Sequence, residues 1–141
     1  MTEEEMLLRL YQKHLAETLG SFGFQFSSIS KIERGWLIEL GREEDKLHII
    51  YESGLFVVDL ILRGAGGGYW QVVCNTALWY CGIKDLKKAT NLEDAFAVTE
   101  KHLPHCCGKL LAGDLAALDD RYCFQFQDLN VFMSFRRGRS D

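Results

Sequence analysis

Two turn signals within residues 35–63 constrain this chain more than anything else in it, because they divide the stretch into three runs that all favour extended structure. The runs are Trp36-Leu37-Ile38-Glu39-Leu40, Leu47-His48-Ile49-Ile50-Tyr51 and Leu55-Phe56-Val57-Val58-Asp59-Leu60-Ile61-Leu62. Each is rich in β-branched and aromatic residues and alternates with period two. One set of alternate positions is wholly apolar: Trp36, Ile38, Leu40, Leu47, Ile49, Tyr51, Phe56, Val58, Leu60 and Leu62. The opposite set mixes Leu37, Ile50, Val57 and Ile61 with Glu39, His48 and Asp59. A β-meander with one core face is therefore expected, its second face half covered by another element or used to bind something. The connection at residues 41–46 is densely charged, and Glu52-Ser53-Gly54 is short enough for a hairpin.

The rest of the chain supplies helices to cover that sheet. Thr2 and Glu5 have capping-box spacing, and Met6, Leu7, Leu10, Tyr11, His14, Leu15 and Leu19 recur at three- and four-residue steps, which predicts a helix over residues 3–19 ended by Gly20 and Gly23. Phe22, Phe24 and Phe26 alternate, so a short strand is expected ahead of the meander. After the glycine-rich loop Gly64-Ala65-Gly66-Gly67-Gly68, the spacing of Trp70, Val73, Cys74, Ala77, Leu78 and Cys81 predicts a helix from residues 69–70 to 81–82. Thr90 and Glu93 form a second capping box, opening a helical period that runs to Ala112 through Pro104, as one kinked helix or two short ones, with Gly113 ending it. Leu115 to Leu118 reads as a helical turn, while residues 122–126 and 131–135 read as strand or aromatic packing segments. The expected architecture is α+β, an antiparallel meander of three to five strands packed against three or four helices, in a single domain over residues 1–141.

Bulk properties narrow the function. With 141 residues, 48% of them hydrophobic and 26% charged, the chain has the balance of a globular domain with a sizeable core. No apolar run reaches membrane-spanning length, and Met1-Thr2-Glu3-Glu4-Glu5 is acidic where an export signal is basic, so the expected location is cytoplasmic, without membrane contact. Five cysteines without an export signal are expected as reduced thiols in the core. A net charge of −4 argues against nucleic-acid binding, which needs a positive field. Arg136, Arg137 and Arg139 read as a solvated tail.

Four constellations invite a chemical reading. The Gly64–Gly68 loop lacks the glycine at position 69 of the dinucleotide pattern and the Lys-Ser or Lys-Thr pair of the triphosphate pattern, so a crossover is favoured over a phosphate site. His102, His105, Cys106 and Cys107 have zinc-type side chains, but no Cys-x-x-Cys pair completes four ligands, so no metal and no cofactor is expected. A nucleophilic Cys107 with His105 is disfavoured because residues two apart on a helix do not face each other. Glu39, His48 and Asp59 share the mixed sheet face, an arrangement that acid-base chemistry uses, though strand charges there are more often solvated.

The order of a leading helix, a meander ending in Gly54-Leu55-Phe56-Val57-Val58-Asp59-Leu60, a helix after a loose loop, and a long helix closing in Lys109-Leu110-Leu111-Ala112-Gly113-Asp114 resembles that of small bacterial α+β proteins of the polymorphic-toxin immunity type. The resemblance covers most of the chain. It implies a non-enzymatic protein that neutralises a toxin domain by covering or distorting its active site, with no catalytic residues to carry over. The contact residues expected on this reading are Glu43, Glu44 and Asp45, three successive carboxylates on a hairpin tip that are hard to neutralise internally, together with Glu39, His48 and Asp59. The alternatives are a small-ligand binder or enzyme using the Gly64–Gly68 loop and the mixed face, or a structural homo-oligomer, such as a homodimer, paired through that face.

Overall fold

The computed structural model describes residues 1–84, 86, 91–130 and 133. Its centre is one antiparallel sheet of six strands, β1 (Gln25–Ile32), β2 (Gly35–Arg42), β3 (Asp45–Glu52), β4 (Leu55–Arg63), β5 (Tyr69–Val73) and β6 (Cys123–Phe126), in the order β1-β2-β3-β4-β5-β6. The helices are α1 (Glu3–His14), α2 (Ala16–Gly20), α3 (Cys74–Tyr80), α4 (Leu92–Cys106) and α5 (Gly108–Leu111). The α+β class and the antiparallel meander are as expected, but the described residues hold six strands and five helices rather than three to five and three or four.

Turn chemistry sets the register of the central hairpins. Glu52 pairs with Leu55, leaving Ser53 and Gly54 as a two-residue tip, both with positive φ (53° and 77°), the combination that matches the twist of the flanking strands. Arg42 pairs with Asp45, so the tip of the β2–β3 hairpin is Glu43 and Glu44. At the start of β2, Gly35 leaves no room for a side chain, since a Cβ there would lie 1.9 Å from the carbonyl oxygen of Tyr51. β2 and β3 therefore approach more closely there than any other residue type permits.

The apolar face forms the main core. Ile38, Leu40, Leu47, Ile49, Phe56, Val58 and Leu60 are all buried against Leu7, Tyr11, Leu15 and Leu19 of the N-terminal helices, Ala77 and Leu78 of α3, and Ala95, Phe96 and Leu103 of α4. Trp36 sits half-buried at the rim, its indole N–H donating to Glu3 at 2.9 Å, with the Lys31 ammonium 5.1 Å from the ring centre. The second face is closed as well. Ile32, Leu37 and Ile50 form a smaller buried cluster with Val57 against it, and Ile61 has no exposure at all.

Three local expectations are revised, and the helical period through Pro104 takes the second of its two expected forms, two helices in line. The predicted helix over residues 3–19 opens with the Thr2–Glu5 capping box but bends at Leu15 (φ −117°), where α1 gives way to α2; the bonds from Leu15 N to Tyr11 O and from Leu19 N to Leu15 O carry the ladder through the bend. Residues 69–73 form a strand instead of the first turns of a helix, because Tyr-Trp-Gln-Val-Val finds ladder partners on both sides, β4 and β6. Where β5 ends, Asn75 continues its role: its side chain accepts from Val58 N at 2.8 Å and donates to Phe56 O at 2.9 Å, satisfying the part of β4 that β5 does not reach. The start of α4 is capped by Asn91, whose side chain accepts from Asp94 N at 2.8 Å, and Thr90 lies outside the described residues. Beyond Pro104, whose missing N–H frees a carbonyl in the preceding turn, the helix breaks at Cys107 (φ −124°) and resumes as α5. Residues 115–117 form a 3₁₀ turn and residues 123–126 a strand, while the aromatic segment 131–135 falls outside the described residues except for Met133, which is buried.

α1 and α4 are joined by an ionic contact. His14 lies between two carboxylates, Nδ1 at 2.9 Å from Glu100 and Nε2 at 3.1 Å from Glu93, and Lys13 also reaches Glu93. Burial works against the charged imidazole, but the hydrogen bonds to Glu100 and Glu93 outweigh it and raise the His14 pKa above its ordinary 6.5. A raised folded-state pKa gives stabilisation that is complete below the ordinary value and is lost as pH rises through the raised one. Denaturation midpoints of the protein and of His14→Gln should therefore lie furthest apart at mildly acidic pH and converge as the solution becomes alkaline. A gap that widens with pH would mean the imidazole is held neutral.

Candidate functional site

Three groups of side chains carry enough chemistry to be weighed. The first is the row of ionisable residues across the second sheet face. β-sheet register sets Glu39 opposite His48 and His48 opposite Asp59, so a carboxylate, an imidazole and a second carboxylate stand side by side on β2, β3 and β4. His48 Nε2 is 3.1 Å from Glu39 Oε2, Lys46 Nζ is 3.8 Å from the same oxygen, and Gln71 of β5 donates to Asp59 Oδ2 at 3.1 Å. The row has the partners that orient a catalytic imidazole. It lacks access: Glu39, His48 and Asp59 are 6%, 0% and 1% exposed. The sequence brought the three to one face correctly, but they are neither solvated strand charges nor an open contact surface. Buried polar groups held in a network of this kind fix the register of the strands that carry them.

The second group is the β2–β3 tip. Asp45 is bound twice, by Arg42 Nη2 at 2.9 Å and by the backbone N–H of Arg63 at 2.9 Å, and Glu44 meets Arg63 Nη1 at 2.7 Å. Arg42 in turn donates to the carbonyls of Phe22 and Leu111 and stacks 4.3 Å from the Phe24 ring centre, so it straps the hairpin to both ends of the helical layer. Two of the three carboxylates are thus neutralised from within, against expectation, because their arginine partners come from the strand ends beside the tip. Glu43, exposed and at φ 52°, has no ion pair among the described residues.

The third group was not legible as a site in the sequence. Trp79 and Tyr80 at the end of α3 are 48% and 46% exposed and meet edge to face, ring centres 5.1 Å apart. Tyr122 lies 6.3 Å from Tyr80, Arg121 stacks 4.2 Å from the Tyr80 ring centre, and Lys84 stands 4.8 Å from that of Trp79. Arg121 is itself fixed by Asp119, through Nε at 3.0 Å and Nη2 at 2.7 Å, which lowers the Asp119 pKa. An open pocket of about 480 Å³ lined by Trp70, Leu118, Asp119, Asp120 and Cys123 shares Asp119 with this group. The available signal was adjacency: neighbours on a helix point about 100° apart, so Trp79 and Tyr80 cannot both face the core.

The remaining candidates lose their chemical reading. The Gly64–Gly68 loop is not the expected crossover: it closes the antiparallel β4–β5 hairpin, with Gly64 N bonded to Gly68 O at 2.9 Å, and leads into a strand, so it offers a phosphate no helix N-terminus. Among the described residues no group of three or more His, Cys, Asp or Glu side chains is placed to hold a metal ion. His105 is exposed and Cys107 buried, so the two do not form a nucleophilic pair. Cys106 has its pKa pushed up to about 12 by burial and by its hydrogen bond with Cys81, the reverse of an activated thiol. Among the described residues no helix is long and apolar enough to cross a membrane. No protein-family model, curated protein or solved structure matches the chain.

Proposed function

We propose that this protein acts by binding another protein and catalyses no reaction, in the manner of the toxin-neutralising immunity proteins it resembles. The observation that carries this reading is the pair of exposed rings, Trp79 and Tyr80, backed by the half-buried Tyr122 and stacked with Lys84 and Arg121. Tyrosine, tryptophan and arginine are the residues in which interface energy concentrates. Here they are already held by ring-ring and cation-ring contacts, so little side-chain freedom remains to be lost on association. Burial of the Glu39–His48–Asp59 row fits a structural part for those residues better than acid-base catalysis on a substrate. Glu43 adds a negative point at a hairpin tip, suited to steering a basic partner such as a nuclease toxin domain.

The test takes a partner encoded beside this gene, preferably a large toxin-like reading frame. Trp79→Ala combined with Tyr80→Ala should weaken binding by about 30-fold or more, the effect of losing roughly 2 kcal/mol at a hot spot. Unchanged affinity removes the cluster from the interface, and turnover of a small substrate by the isolated protein overturns the non-enzymatic reading.

Charge reversal at the tip separates steering from folding. Glu43→Lys should slow association at low salt, with the difference fading as salt is added, while stability stays the same. Asp45→Lys should instead destabilise the fold, because it breaks the Arg42 pair and the bond to Arg63 N. Stopped-flow association rates across a salt series decide the first point, and identical rates at every salt concentration take Glu43 out of the encounter.

A further inference from the structure

The end of α3 fixes an ammonium over an exposed ring. Past Tyr80 the helix closes with Cys81 as its cap and Gly82 in the left-handed region (φ 94°). Gly82 N donates to Trp79 O at 3.0 Å and Ile83 N to Leu78 O at 2.9 Å, the pair of bonds that satisfies the last free carbonyls of a helix and reverses the chain. Ile83, half-buried, packs against the main core and anchors the reversal. Lys84 follows directly, so the chain is turned back toward the helix it has just left, and the Lys84 ammonium stands 4.8 Å from the centre of the Trp79 ring.

The two cations of this surface differ in what they still lack. Arg121, stacked on Tyr80, gives Nε and Nη2 to Asp119 and is neutralised where it stands. Asp119 and Asp120 both precede it in the chain, which leaves the Tyr80 side no positive charge to spare. Lys84 is exposed and has no ion pair among the described residues. A body that covers Trp79 also covers the ammonium seated on it. A cation taken out of water without a counter-charge opposes association, and the ring beneath it offsets only part of that cost.

Resting on the protein-binding reading above, we propose that the partner sets a carboxylate against Lys84, next to an apolar side chain laid on Trp79. The occupant is a protein segment in which aspartate or glutamate stands beside an apolar residue, and Lys84 decides which segments fit, because one without the carboxylate leaves a covered ammonium unpaired. Tyr80 asks for no such charge, since Asp119 supplies it to Arg121 from within. This pairing agrees with a partner that is basic overall: steering at Glu43 acts through net charge at a distance, whereas the contact at Lys84 acts only once the surfaces meet.

The experiment titrates the full chain with three blocked peptides, acetyl-Leu-Glu-Leu-amide and its Gln and Lys counterparts, and follows the Trp79 indole N–H signal by NMR. The glutamate peptide should shift that signal saturably and bind about fivefold or more tighter than the glutamine peptide, with the lysine peptide weakest and the gap narrowing as salt is added. Lys84→Gln should erase the preference and Lys84→Arg should keep it, a pattern that a change in packing alone does not produce. The peptides report only which charge accompanies the contact. Whether a partner uses the rings at all is read separately, from Trp79→Ala with Tyr80→Ala, so either conclusion can fail without the other. Equal binding of the glutamate and glutamine peptides, a preference that survives Lys84→Gln, or no saturable shift up to about 20 mM peptide overturns the proposal.

Discussion

Replacing Phe56 with alanine is expected to cost about 3–5 kcal/mol of stability, the range for emptying a large aromatic site in a core that cannot collapse around the gap. Phe56 is 2% exposed on β4 and meets Phe96 of α4 edge to face, with ring centres 5.1 Å apart. Tyr51 stands beside it across the β3–β4 ladder. The ring therefore joins the two layers, and its removal takes away both the buried area and an aromatic pair that adds about 0.5–1.5 kcal/mol beyond area. The backbone around it is also pinned, since Phe56 O accepts from Asn75 Nδ2 at 2.9 Å, which limits relaxation into the cavity. Chemical denaturation measures the loss directly. A change below about 1 kcal/mol would mean that this is not the face on which sheet and helices meet.

The second large effect belongs to a residue with no side chain. Gly35→Ala places a Cβ 1.9 Å from Tyr51 O and 2.7 Å from Glu52 Cα, and both of these are backbone atoms that no rotamer change can move aside. β2 must lift away from β3 at the point where Gly35 pairs with Glu52, one residue before Trp36 enters the core ladder. A loss of about 4 kcal/mol is expected, at the severe end for a single substitution because steric strain is joined by broken ladder bonds. Gly41→Ala is the matched control. It lies on the same strand, has nothing within 4 Å of the added atom, and should change stability by less than about 1 kcal/mol. Equal losses for the two substitutions would show that strand glycine as such, and not the close approach at Gly35, matters.

The parts of this fold that were legible in the sequence are those whose cause is local. The three strands of the meander follow from alternation and turn residues within each run, and the start of α1 follows from Thr2 and Glu5 three residues apart. Elements decided by distant partners were misread. Residues 69–73 carry both a helical spacing and a strand composition, and β4 and β6 settle the matter from positions that no local window contains. Glu44 looked unsatisfied because its partner, Arg63, is 19 residues further along the chain, whereas the ionic partner of Asp45, Arg42, stands only three residues back across the tip and was within reach of a local reading. The grouping of Glu39, His48 and Asp59 was readable from alternation, whereas their burial was not, since exposure of a second sheet face depends on what lies over it. Trp79 looked like a flank residue of an amphipathic helix because the period places it near the apolar stripe; the meeting of its neighbour Tyr80 with Arg121 and Tyr122 required the chain to return through α4 and α5 to the turn that leads into β6.

The strand order has a kinetic meaning. β1 to β5 each pair with the next strand in the chain, so every ladder among them closes a loop of only a few residues, and the entropy lost at each step is small. Other closures, among the described residues, are of a different kind: β6 returns to β5 across the whole of α3, α4 and α5, Arg42 reaches Leu111 across 69 residues, and His14 meets Glu93 and Glu100 across separations of 79 and 86 residues. The contact order of the molecule is thus concentrated at its two ends, while its middle resembles a zipper. A chain so arranged is expected to form the meander early and to commit its N-terminal helix and last strand late, which sets the lowest-energy local openings at the α1–α4 joint and the β5–β6 edge and leaves β2, β3 and β4 as the last part to exchange their amide hydrogens.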